Sequence, residues 1–189
     1  MKKLYFITSN KGKLQEALEK LQPYGYSVIQ KDLGYPEIQA DSLEEVVAAG
    51  ISYLQSRCHD AFILEDAGVF IDALEGFPGV YSKYVFFTIG LSGILRLLEG
   101  IDNRKAVFRS VYGYCEPGKK PMVFIGECPG QITTKKQGDH GFGYDPIFIP
   151  DGAHNSFAEM TVQQKNEFSH RAKALNKLIR ILSTKSEEF

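Results

Sequence analysis

Two adjacent carboxylates, Glu65 and Asp66, sit inside the run AFILEDAGVF, residues 61 to 70, whose other members are apolar or small. A buried carboxylate without a partner is costly enough that it protonates, pairs with a cation or binds a metal, so a positive group is expected beside this segment. Side chains alternate across a strand, so the two acids point to opposite faces and their roles should differ. The competing reading is a strand end where both are solvated or ion-paired. Ala67 and Gly68 follow, small residues that let a bulky ligand approach the backbone.

A second group lies at TSNKGK: Thr8, Ser9, Asn10, Lys11, Gly12 and Lys13. It falls where a strand becomes a helix, so backbone N–H groups and the helix dipole face any anion lodged there, and the two lysines add charge. It is not a Walker A loop, which would need Gly at Ile7 and Ser or Thr at Leu14. Plain helix capping is the alternative. A third group, GFGYDPIF, puts Phe142, Gly143, Tyr144 and Asp145 together. Such a segment either walls a nucleobase, with an aromatic face stacked on it and the acid accepting hydrogen bonds, or makes a tight turn that fills the core. His170 and Arg171, in SHR, fall in the first turn of a helix, where capping and a solvated arginine are the alternative.

The elements that must position these residues can be read from periodicity. LYFITS reads as a short buried strand, and KGKLQEALEKL as a helix with Leu14, Ala17, Leu18 and Leu21 on one face and Asn10 as N-cap. YSVIQKDL reads as a second strand, and DSLEEVVAAGISYL as a helix capped by Asp41 or Ser42. The strand carrying Glu65 follows. EGFPGVYSKYVF then reads as an irregular loop, and GLSGILRLLEG as a helix. AVFRSVYGYCEPG and MVFIGECPGQITTK read as a hairpin turned at EPGKKP; a strand begins at Pro146, and after a polar connector SHRAKALNKLIRIL is a helix with an apolar stripe. Alternating strands and helices with a central hairpin imply an α/β protein with a mixed sheet.

With 189 residues and 43% hydrophobic content, one domain with one substantial core is expected. A net charge of −1 argues against a large sequence-independent nucleic-acid surface and leaves room for a small polyanion. Three widely spaced cysteines suggest neither a disulfide framework nor a CxxC metal site, which fits a reducing cytoplasm. LYFI is too short for a secretory or membrane segment, so the protein reads as soluble.

In their order, TSNKGK, EDAGVFIDALEGFPGVYSKY, FGYDPIF and SHRAKAL resemble the inosine triphosphate pyrophosphatase family, and the resemblance covers essentially the whole chain. It implies Mg²⁺-dependent hydrolysis of ITP, dITP and XTP to the monophosphate and pyrophosphate, which cleanses the nucleotide pool. The implied enzyme is a cytoplasmic homodimer with no nucleic-acid or membrane partner. The implied fold is a long, curved mixed sheet flanked by helices, in two lobes with a central cleft. Carried over by position, the phosphate loop falls on Thr8 to Lys13 and the catalytic acid on Asp66. The magnesium-associated acid falls on Glu37, the base-binding stretch on Phe142 to Asp145, a lysine on Lys165, and the His-Arg pair on His170 and Arg171.

Two departures stand out. Relatives often have Ser or Thr where this chain has Ala67, and a lysine late in the second helix, where this chain reads VVAAGISYL. The phosphate charge is thereby left to Lys11, Lys13, Lys83 and Lys165. On this reading Mg²⁺ is held by Glu37 with one or both of Glu65 and Asp66, and Asp66 activates the attacking water. Donors near His170 and the Arg171 guanidinium read the 6-oxo base, Phe142 or Tyr144 covers its ring, and Asp145 accepts from its N–H edge. The rival readings are a pyrophosphatase of similar fold for methylated nucleotides and a nucleotide sensor without turnover.

Overall fold

The computed structural model describes residues 2–184. Six strands form one mixed sheet in the order β2-β1-β3-β4-β5-β6, flanked by helices and not closed. The strands are β1 (Lys2–Ile7), β2 (Tyr26–Lys31), β3 (Phe62–Ile71), β4 (Lys105–Cys115), β5 (Met122–Ile132) and β6 (Phe148–Pro150). The helices are α1 (Lys11–Leu21), α2 (Leu43–Leu54), α3 (Ser82–Thr88), α4 (Gly90–Leu97), α5 (Val162–Phe168) and α6 (His170–Thr184). β1 pairs in parallel with both β2 and β3, as crossovers through α1 and α2 require, whereas β5 and β6 are antiparallel.

The chain divides into two compact units. The first comprises Met1–Asp66, Ser110–Gly126 and Arg171–Phe189. Its core joins Leu4 and Phe6 of β1, Ala17 and Leu21 of α1, Tyr112 and Tyr114 of β4, and Leu175, Leu178 and Leu182 of α6. The apolar stripes of α1 and α6 are the ones the sequence spacing gives. Asn10 caps α1 by accepting from the Lys13 amide at 3.0 Å, and Ser42 caps α2 by accepting from the Glu45 amide at 3.3 Å.

The second unit comprises Ala67–Arg109 and Glu127–His170, around Val69, Ile71, Ile94, Phe108, Phe148 and Phe157. Here three expectations are corrected. The segment expected as an irregular loop contains a 3-10 turn at Gly79–Tyr81 and then α3. Aromatic and β-branched residues such as those of SKYVFFT are weak helix formers, so propensity conceals the helix. Ser82 fixes its start by donating to the Gly79 carbonyl at 2.6 Å and accepting from the Val69 amide at 2.9 Å. The polar connector contains α5, opened by a capping box in which Thr161 and Gln164 bond each other's backbone amides. The strand expected from Pro146 begins only at Phe148, after a 3-10 turn over Asp145–Ile147.

β3 and the Gly79 turn approach so closely that a Cβ on Gly68 would lie 2.2 Å from the Gly79 carbonyl oxygen. Backbone cannot yield there as a side chain can, so Gly68→Ala is expected to lower Tm by about 5 °C, measured by calorimetry.

Candidate active site

The site is built from α1 and β3 upward. α1 begins at the turn after β1, where Thr8 Oγ1 accepts from the Asn10 amide at 3.1 Å. Ser9 and Lys11 are exposed, and Thr8, Asn10, Gly12 and Lys13 are partly buried. One turn into α1, the Lys13 ammonium reaches Glu65 of β3, 2.6 Å from Oε2 and 3.2 Å from its backbone carbonyl. The other carboxylate oxygen of Glu65 accepts from Ser110 Oγ of β4 at 2.7 Å and from Arg171 Nε of α6 at 3.1 Å. Arg171 Nη1 also meets Glu16 of α1 at 3.3 Å. Three elements, α1, β4 and α6, thus converge on one carboxylate of β3 that has no side-chain exposure.

Burial alone pushes the Glu65 carboxyl up. Lys13 and Arg171, with hydrogen bonds from Lys13 and Ser110, outweigh that and hold it below its usual range. Asp66, the next residue, is only half-buried, so the two acids part as strand alternation requires. Glu37 is exposed in the segment between β2 and α2. Two residues before it, burial raises the Tyr35 phenol well above its usual range, and Asp66, Glu65 and Glu37 add to the rise.

In the second unit, Asp145 and Lys165 form a buried pair, Nζ to Oδ2 2.6 Å. The same Oδ2 accepts from the Phe142 amide at 2.8 Å. Gly141 makes this fold-back feasible, since a Cβ there would lie 2.2 Å from Oδ2. The Lys165 ammonium also lies 4.7 Å from the Phe142 ring centroid and 5.3 Å from that of Phe157.

The sequence profile of the Ham1 family matches residues 4–181. The chain belongs to the Ham1 family. A protein of Methanopyrus kandleri named dITP/XTP pyrophosphatase is 54% identical over 175 residues, 93% of each chain. One of the same name from Pyrococcus horikoshii is 53% identical over 173 residues, 92% of each chain. Among solved structures, the Staphylococcus aureus Ham1 protein superposes with a TM-score of 0.82 at 27% identity, covering 97% of this chain and 100% of that one. The family match agrees with the resemblance carried by the four motifs.

Several expectations for this Ham1 family member change with the geometry. Glu65 is not an open metal ligand: both its oxygens are engaged by protein cations and a hydroxyl. The buried Arg171 guanidinium meets Glu65 through Nε and Glu16 through Nη1. His170 is wholly buried, stacked on Phe108 with centroids 4.6 Å apart and planes 5° from parallel. Tyr144 is a core residue, its hydroxyl donating to the Ser82 carbonyl at 2.7 Å and its ring edge-on to Phe86. Phe142 is partly buried, with the Lys165 ammonium over its ring. Lys83 is exposed on α3, and Ala67 and Gly143 are partly buried.

Magnesium fits part of the expected donor set. Mg²⁺ uses one or two carboxylates and completes its shell with water and phosphate oxygens. Of the expected acids, Glu37 is exposed and Asp66 half-buried, so these two are the carboxylates that water and phosphate oxygens could reach. Glu65 is not among them. Among the described residues no group of three or more His, Cys, Asp or Glu side chains gathers as a cage.

Sequence reasoning missed Glu16 and Ser110. Glu16 stands three residues after Lys13, hence on the same helical face, and Ser110 interrupts an apolar alternation in β4.

Because its carboxyl is held low, Glu65 stabilises the fold fully above its unfolded value of 4.5, and that contribution is lost as pH falls through its lower folded value. Glu65→Gln is expected to cost about 3 kcal/mol at pH 7 by urea unfolding, with the gap to wild type closing under acid conditions.

Proposed function

We propose that this chain hydrolyses deaminated purine nucleoside triphosphates, dITP, XTP and ITP, to the monophosphate and pyrophosphate. The observation that carries this reading is its similarity, over 93% of its length, to a protein named for that activity. The geometry supports it. The α1 turn offers amide donors and Lys11 to phosphate oxygens, and Lys13 stands fixed by Glu65 at the head of the same helix.

Asp66 orients a water and takes its proton as the water oxygen bonds to the α-phosphorus. The bond from that phosphorus to the bridging oxygen of the β-phosphate breaks, and pyrophosphate departs with the electron pair. Mg²⁺, held by Glu37 and Asp66, would neutralise phosphate charge as it develops. Glu65 does not take part as a base: its role is to hold Lys13 and Arg171.

For the base, the Lys165 ammonium is a donor without acceptor capacity. A 6-oxo purine offers it an oxygen, whereas adenine offers an amino group, donor against donor. Asp145 holds that ammonium in place and Phe142 supplies a ring face for stacking.

A cytoplasmic homodimer that cleanses the nucleotide pool completes the proposal. Among the described residues no helix is long and apolar enough to cross a membrane. α3 and its flanks expose Tyr84 at 70%, Phe87 at 77%, Tyr81 at 45% and Ile89 at 46%. Between Gly76 and Leu95 the only charge is Lys83, which suits a second copy of the same surface better than a charged partner.

With Mg²⁺ and a panel of nucleoside triphosphates, pyrophosphate release from dITP and XTP should far exceed that from ATP; equal kcat/KM values refute the reading. Asp66→Asn should fold normally and lose about 100-fold or more in kcat. In sedimentation, wild type should run at about twice the 21.2 kDa chain mass, and Phe87→Asp as the monomer.

A further inference from the structure

Beneath the Lys13, Glu65, Arg171 and Glu16 cluster lies a face of β4 that no motif marks. Ser110 and Tyr112 are two residues apart on that strand and therefore share a side of it. Both are fully buried. Ser110 Oγ lies 2.7 Å from Glu65 Oε1, the oxygen that also takes Arg171 Nε. A carboxylate pulled by cations on two sides needs a third contact to fix its torsion, and a hydroxyl donor on a strand is a rigid one. With Oε1 so held, Oε2 is directed to Lys13.

Tyr112 supplies an independent observation. Its ring packs on Phe6 with centroids 5.8 Å apart, and its hydroxyl oxygen is buried with no hydrogen-bond partner among the described residues. Burial raises this phenol well above its usual range; Glu65 and Glu16 add to the rise and Arg171 opposes it, so the charges of the cluster act on it. A buried hydroxyl is rarely left unmade, and a polar niche offering two or more partners holds a water.

We infer that Ser110 and Tyr112 are positioning residues: Ser110 sets the Glu65 carboxylate that places Lys13, and the buried, unpartnered Tyr112 hydroxyl anchors one buried water on the same face of β4. The inference deepens the pyrophosphatase reading and rests on it for the identity of the anion. Neither residue touches substrate. Their effect reaches phosphate through the place of Lys13, and so it belongs to binding that substrate and transition state share.

The test uses the full chain, with dITP hydrolysis and calorimetric binding of inorganic pyrophosphate. Ser110→Ala should raise KM for dITP and weaken pyrophosphate binding, each about ten-fold, with kcat within two-fold of wild type. Ser110→Cys keeps the volume with a weaker donor and should fall between, which separates positioning from packing. Wild-type pyrophosphate affinity in both variants overturns the role of Ser110. Tyr112→Phe should lower Tm by about 3 °C, because the water loses an anchor; an unchanged or higher Tm overturns the water. If wild type binds pyrophosphate but releases none from dITP or XTP, the catalytic reading fails while the binding arm still decides the positioning role. A wild type that binds no pyrophosphate overturns both.

Discussion

Everything in the first unit is arranged around one buried negative charge. Glu65 sits on a strand with no exposure, and its desolvation is offset only because α1 sends Lys13, α6 sends Arg171 and β4 sends Ser110 to it. A buried ion cluster is weak support for stability as such, since apolar packing of equal volume does as well. What it provides is placement: cations tied at both ends cannot wander among rotamers, so an anion arriving at the head of α1 meets charges already in position.

The second unit solves a similar problem on a smaller scale. Lys165 and Asp145 are each nearly inaccessible, and their pairing is completed by the Phe142 amide and two aromatic faces. In both units a flexible, strongly hydrated lysine is converted into a fixed donor by a carboxylate at 2.6 Å. Their surroundings differ: one lies at a helix start, the other beside an aromatic ring, and the proposed reading gives them different partners accordingly.

Much of this was legible in the sequence, and the gaps have physical causes. Periodicity gave the stripes of α1 and α6, and the clash of Glu65 with an apolar run pointed to a positive partner. What no run of residues shows is which cation arrives: magnesium and lysine satisfy the same electrostatic requirement, and only tertiary structure brings Lys13 and Arg171 to Glu65. The places of the Tyr144 and His170 side chains were open in the sequence for a related reason. An aromatic or imidazole in a glycine-rich or capping context looks the same whether it faces ligand or core, and here Ser82 and Phe108 claim them. α3 was hidden by its composition and α5 by its brevity, although the Thr161 and Gln164 pair was a readable start signal.

The quartet of Lys13, Arg171, Glu65 and Glu16, buried but for part of Lys13, carries two positive and two negative charges and so sums to zero. It therefore projects little field into solvent, and dissolved ions, which screen exposed charges, scarcely reach it. On the proposed reading, capture of a distant polyanion would fall to groups such as Lys11, open to water at the same turn. Ionic strength would then be a dial on encounter, while the final seating of the ligand would be governed by parts of the molecule that the surrounding electrolyte touches far less.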